Sequence, residues 1–214
     1  MAKRLKDKVA IVTGAGSSGP GWGNGKATAV LFAREGARVL CLDINRDAVE
    51  ETRSIIDQEG GDCMVRQCDV TCADQIQATV AQCLESYGRI DILHNNVGIL
   101  ELGGPVEASE ESWDRVNSVN LKSTFLTCKY TLPHMEQQGA GAIVNLSSIA
   151  AKTGGTTVGP HYASSKAGIV ALTLGLAKVA APRGIRVNGI APGVVATPMT
   201  DNPRLVAYGE QVPL

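Results

Sequence analysis

Two residues four positions apart carry the most chemistry in this chain: Tyr162 and Lys166, within Tyr162-Ala163-Ser164-Ser165-Lys166. On a helix this spacing puts both side chains on one face, with roughly 5–6 Å between Cβ atoms. A free phenol titrates near ~10 and is a weak base at neutral pH. A fixed ammonium beside it favours the phenolate and brings proton transfer into a useful range. Such pairs arise by chance on many helices, so the pair has weight only if the chain also builds a nucleotide site and brings a second hydroxyl.

The nucleotide site is foreshadowed near the N-terminus. Lys8–Thr13 reads as a buried parallel strand, followed by Gly14-Ala15-Gly16-Ser17-Ser18-Gly19-Pro20-Gly21-Trp22-Gly23-Asn24-Gly25. A helix is expected over Lys26–Glu35, with Ala27, Val30, Leu31 and Ala33 on its buried side. Residues 14–19 spell G-x-G-x-x-G literally, but that register puts Pro20, Gly21 and Gly23 into the first helical turns, where propensity is poor. The longer register is preferred: Gly14 makes the turn, and Gly23 and Gly25 stand at the helix entrance. Free backbone N–H groups and the helix dipole there attract a pyrophosphate. A second strand, Arg38–Leu42, ends in Asp43, whose carboxylate can accept from an adenosine ribose and repels a 2′-phosphate, favouring NAD over NADP.

The alternation continues through a helix over Arg46–Gln58, a strand over Cys63–Gln67 and a helix from Asp74 to Tyr87. A strand over Ile90–His94 runs into Asn95-Asn96-Val97-Gly98. One long helix is expected from an N-cap at Ser109 through Trp113 and Phe125 toward Leu132. A strand over Ala142–Leu146 meets Ser147-Ser148; a helix from Ala163 to Val179 and a strand over Arg186–Ile190 follow, then Ala191-Pro192-Gly193. Strands alternating with helices predict an α/β fold, a single-domain doubly wound parallel sheet of six recognisable strands with ligands at the strands' carboxyl ends. Gly14, Asp43, Asp69, Asn95, Ser148 and Pro192 all fall at that rim. His94 and His161 are read as packing or surface residues.

Composition narrows the function classes. The chain has 214 residues, 44% hydrophobic and 19% charged, with a formal net charge of −1. This suits one globular domain and gives no reason to expect nucleic acid or a membrane as partner. No apolar run approaches the ~20 residues that span a bilayer, and Val9–Thr13 is too short for a signal-peptide core. Cys41, Cys63, Cys68, Cys72, Cys83 and Cys128 match no zinc spacing or disulfide frame, so free thiols, no metal and a cytoplasmic location are expected.

Taken together, Thr13-Gly14 with the glycine loop, Cys68-Asp69-Val70, Asn95-Asn96-Val97-Gly98, Val119-Asn120-Leu121, Asn145-Leu146-Ser147-Ser148, Tyr162 with Lys166, and Pro192-Gly193 with Thr197 resemble the short-chain dehydrogenase/reductase family from residue 6 to about 200. The resemblance implies a Rossmann-like fold and a proton-relay tetrad of Asn120, Ser148, Tyr162 and Lys166. Tyr162 would exchange the proton at the reacting oxygen, Ser148 would orient that oxygen, Lys166 would hold ribose hydroxyls and depress the Tyr162 pKa, and Asn120 would position a relay water. Ser148 is chosen over Ser147 because the family's serine lies about 13 residues before its tyrosine. The gap of 14 here implies a one-residue insertion.

The resemblance also implies cofactor contacts from Gly14, Gly23, Gly25, Asp69, Val70, Asn95, Gly98, Pro192, Gly193 and Thr197. It implies a small-molecule secondary alcohol or ketone as substrate and a homodimer or homotetramer built on the Ser109 and Tyr162 helices. Two features depart from the family pattern. The glycine loop is about five residues longer than usual, and its Trp22-Gly23 is similar to the enoyl-reductase branch, although the four-residue Tyr–Lys spacing favours alcohol and ketone chemistry. The sequence also stops before the family's seventh strand, so a longer polypeptide is expected, with residues 201–214 forming at most a short helix. An enoyl-reductase-like activity and a nucleotide-binding protein without turnover are the alternatives.

Overall fold

The computed structural model describes residues 3–155, 158–203, 205 and 207. Its centre is a six-stranded, all-parallel sheet in the order β3-β2-β1-β4-β5-β6. The strands are β1 (Val9–Thr13), β2 (Arg38–Asp43), β3 (Asp62–Gln67), β4 (Ile92–Asn95), β5 (Gly141–Leu146) and β6 (Ile185–Ile190). The helices are α1 (Asn24–Arg34), α2 (Arg46–Gln58), α3 (Ala73–Tyr87), α4 (Glu110–Asn117), α5 (Ser123–Gln138), α6 (Ala150–Thr153) and α7 (Pro160–Ala180). The doubly wound sheet expected from the alternation is the one observed.

The apolar runs are continuous because both sheet faces are covered. Along β1 the side chains alternate between two cores. Val9 and Ile11 join Leu40, Leu93 and Ile143 on the face covered by α3, α5 and α7. Ala10 and Val12 join Val39, Ala29, Val30 and Val49 on the face covered by α1 and α2. The strand order reverses between β1 and β4, and the crevice opens there, at the carboxyl ends.

Several elements differ from the sequence-based expectation. The helix expected to run unbroken from Ser109 is interrupted: a π-helical turn, Ser118–Lys122, separates α4 from α5. The Ser109 side chain does cap α4, accepting from the Ser112 N–H at 3.2 Å. On α1 the buried positions are Gly25, Lys26, Ala29, Val30 and Ala33, whereas Ala27 and Leu31 are exposed. The stripe is therefore rotated, with a lysine occupying one of its apolar places. α7 begins at Pro160, at the helix position where a missing N–H costs nothing.

α7 and its trailing turn, Pro160–Arg183, are long and apolar enough to cross a membrane by length and composition, contrary to the expectation from the apolar runs. In the fold α7 packs on β6 and buries Ser165, Lys166 and Thr173 against the sheet. These polar groups are bonded within the protein. Two glycines of α7 differ in their surroundings. A Cβ on Gly168 would meet Leu121 at 2.6 Å, so this glycine serves internal packing, while Gly175 faces open space. The six cysteines are free thiols. His94 is buried with no partner for its Nε2 among the described residues, and burial lowers its pKa to about 4. Most of the expected short helix over 201–214 lies outside the described residues.

Candidate active site

The glycine loop has the longer register. Gly23 is the N-cap of α1, and Gly14 turns with φ +63°. Glycine is required at residue 25 by contact: a Cβ there would lie 1.8 Å from the Gly14 carbonyl oxygen and 2.5 Å from Asn96 Nδ2. The first N–H groups of α1 have no side-chain cap, so they are available to an anion. Ser17 Oγ is buried beside them with no partner among the described residues. These donors border a cleft of about 420 Å³ that extends past Asp43, Asp69 and Val70 on one side and Gly98, Ser148, Tyr162 and Lys166 on the other. Pro192, Gly193 and Thr197 close its far wall.

Asp43 stands where β2 ends. One carboxylate oxygen accepts from the Gly16 N–H at 2.9 Å and the other from the Asn45 N–H at 3.0 Å. It therefore fixes the glycine loop as well as edging the cleft, and each oxygen keeps a further lone pair. Asp69 accepts from the N–H and hydroxyl of Thr71 through one oxygen, shaping the turn after β3.

At the other end, Lys166 is buried and its Nζ donates to the Leu146 carbonyl at 2.9 Å, tying α7 to the end of β5. Ser147 Oγ donates to the Lys166 carbonyl at 2.8 Å. Ser147 is thus a structural clamp, which leaves Ser148 as the serine that lines the cleft with Tyr162 without being tied to α7. Burial lowers the Lys166 pKa to about 8. It also raises that of Tyr162, with the nearby Ser148 hydroxyl pulling the other way. The expectation that Lys166 holds the phenol down is therefore not met in this arrangement: Nζ is 5.8 Å from the Tyr162 ring centroid and bonded to a carbonyl instead.

Asn120 lies inside the π turn and is fully buried. The wide turn carries the bond from the Ser123 N–H to the Ser118 carbonyl, and such turns recur at functional sites. Its side chain accepts from the Ile99 N–H at 2.8 Å and donates to the Ile99 carbonyl and to Ser165 Oγ, each at 3.0 Å. Ser165 in turn donates to the Tyr162 carbonyl at 2.8 Å. Asn120 therefore locks the segment after β4 to the helix carrying the tyrosine. A Cβ on Gly98 would fall 3.1 Å from Lys166 Nζ and 3.4 Å from Asn120 Oδ1, so glycine lets these groups converge.

Of the expected cofactor residues, Asn95 is placed differently. It is buried below the floor, donating to Asn145 Oδ1 at 2.9 Å and accepting from Thr127 Oγ1 at 2.7 Å. Asn145 continues to Thr173 Oγ1 at 2.9 Å, so the network joins β4, β5, α5 and α7. The cleft residue is the next one, Asn96, whose Nδ2 donates to the Gly14 carbonyl at 3.0 Å. Sequence reasoning missed Asn96 and Ser17. The only signal for either was its neighbourhood, the Asn-Asn doublet and the glycine loop.

The chain is similar to known proteins over most of its length. The family model described as short chain dehydrogenase matches residues 8–205. A 3-oxoacyl-(acyl-carrier-protein) reductase of Thermotoga maritima is 42% identical over 200 residues, covering 92% of this chain and 78% of that reductase. A short-chain dehydrogenase/reductase structure from Burkholderia xenovorans superposes with a TM-score of 0.95 at 42% identity, over 99% of this chain and 83% of that one. An NAD+-bound xylitol dehydrogenase gives a TM-score of 0.82 at 36% identity, over 89% and 71% of the two chains. With its parallel sheet, glycine-lined cleft and buried Tyr–Lys helix, this chain belongs to the short-chain dehydrogenase family and is an oxidoreductase.

Proposed function

We propose that the protein is an NAD(H)-dependent dehydrogenase or reductase acting on a small secondary alcohol or ketone. The observation that carries this reading is the single cleft that joins the α1 N-terminus and Asp43 to Ser148, Tyr162 and Lys166. Donors for a diphosphate and a hydroxyl pair for a carbonyl oxygen line this one cleft. The residues fit a nicotinamide dinucleotide: the glycine cradle admits close backbone approach, and Ser17 Oγ is an unpartnered donor.

A bound nicotinamide supplies the hydride acceptor or donor. The chain's own residues handle the proton. The Tyr162 hydroxyl takes the proton from an alcohol, or returns it to a ketone oxygen, and Ser148 hydrogen-bonds the same oxygen and orients it. Lys166, held by the Leu146 carbonyl, keeps a positive centre behind the phenol. Asn120 fixes the backbone that carries both. An intact set of these groups favours turnover over a purely nucleotide-binding role, and the four-residue Tyr–Lys spacing favours alcohols over enoyl substrates.

The carboxylate of Asp43 supports NAD as the cofactor, because it stands at the cleft edge where a 2′-phosphate would meet a like charge. Wild-type kcat/KM is expected to be higher with NAD than with NADP, and Asp43→Ala should narrow that ratio at least about tenfold. Part of the change will be a loss with NAD, since the loop anchor at Gly16 goes too. Equal or reversed preference in the wild type would overturn the assignment.

A further inference from the structure

Lys26 is the oddest residue in the fold. It occupies a core-facing place on the first turn of α1 and is only 2% exposed, and nothing in the chemistry above uses it. Burying an ammonium costs several kcal/mol unless it is paired and hydrogen-bonded. Its Nζ is satisfied from three sides. It pairs with Glu51 of α2 at 2.6 Å, donates to the Gly21 carbonyl at 3.3 Å and lies 5.6 Å from the Trp22 ring centroid. Two of the three partners belong to the added length of the glycine loop.

That loop also touches the opposite wall. A Cβ on Gly19 would lie 3.1 Å from the Pro198 ring, so the loop abuts the turn Pro198–Thr200. The turn is itself anchored: Thr200 Oγ1 donates to the Val195 carbonyl at 2.6 Å, and Met199 and Thr200 line the cleft. The stretch from Gly16 to Gly25 holds five glycines, among them Gly21 at φ +105°, and such a chain loses much freedom when ordered.

We propose that Lys26 is a positioning residue for the cofactor. It ties the extended loop to α1 and α2, so that the loop lies across the phosphate end of the cleft against the Pro198 turn, with the α1 N–H groups and Ser17 Oγ already aimed. This inference rests on the nicotinamide reading and adds the residue that pre-pays the ordering of its binding loop.

The test uses the whole chain with Lys26→Met, which keeps the apolar stem and removes the ammonium. Calorimetric titration should show the dissociation constant for NAD raised about tenfold or more. The KM for NAD should rise with it, while kcat at saturation changes less than about threefold. Without any cofactor, amide exchange should accelerate in residues 16–23 and stay unchanged in β1. Lys26→Arg should restore most of the affinity. Should Lys26→Met fail to fold, Glu51→Gln acts at the 61%-exposed partner and should give the same pattern in weaker form. A dissociation constant within twofold of wild type, or kcat falling in step with the rise in KM, would overturn the proposal. Were wild type to bind neither NAD nor NADP, the cofactor reading itself would fall, a result separate from any difference between variants.

Discussion

Tyr162→Phe is expected to lower kcat by about 10²–10⁴-fold while leaving the dissociation constant for NAD within threefold of wild type. The substitution removes one hydroxyl and keeps the ring that packs at the start of α7. The cofactor end of the cleft, built on Gly14, Gly25 and Asp43, is untouched by it. A pH signature accompanies the loss. Burial raises the phenol's pKa, so in wild type the base form is scarce at neutral pH and alcohol oxidation should accelerate as pH rises into the alkaline range. That limb should vanish in Tyr162→Phe. Steady-state rates across pH, with parallel titrations of NAD binding, check both points. Near-normal kcat would move the proton donor elsewhere.

The second large effect is expected at Gly25. A methyl group there would sit 1.8 Å from the Gly14 carbonyl oxygen, a contact with backbone that no rotamer change relieves. Gly14 is at φ +63° and Asp43 pins the neighbouring Gly16 N–H, so the loop has little room to give way. Gly25→Ala should therefore push the loop off the α1 N-terminus and weaken NAD binding by about a hundredfold or more. The sheet should survive, since neither core includes residue 25. Calorimetric titration reads the affinity, and a retained cooperative melt separates it from global unfolding. Binding within threefold of wild type would show that the close approach of Gly25 to Gly14 is not needed.

These predictions draw on features of unequal legibility. The sheet could be read because parallel strands buried on both faces leave continuous apolar runs between helices. The loop register could be read because a run of Pro20, Gly21 and Gly23 has poor propensity for the first turns of a helix. The π turn at Asn120 could not: one extra residue in a mixed, half-polar helix barely shifts its periodicity. Lys26 was hidden for the opposite reason. A lysine on an apolar stripe looks like the edge of the stripe, so the pattern of α1 points to a buried face rotated toward Leu31. Asn95 and Asn96 are indistinguishable by type, and only the end of β4 decides which reaches the cleft. α6 is one turn long, too short for any periodic signal. The state of the phenol depended on where the Lys166 Nζ points, which is a matter of tertiary packing.

The central claim is that this cleft moves a hydride between a nicotinamide and a carbinol carbon while Tyr162 handles the proton. The most direct measurement incubates the protein and NAD with a panel of secondary alcohols deuterated at the carbinol carbon, then examines the reduced cofactor by mass spectrometry. The account predicts NADH one mass unit heavier with at least one alcohol, and about 10²–10⁴-fold slower formation with Tyr162→Phe. Binding of NAD with no deuterium transferred from any alcohol, and none to any ketone from deuterated NADH in the reverse direction, would contradict it.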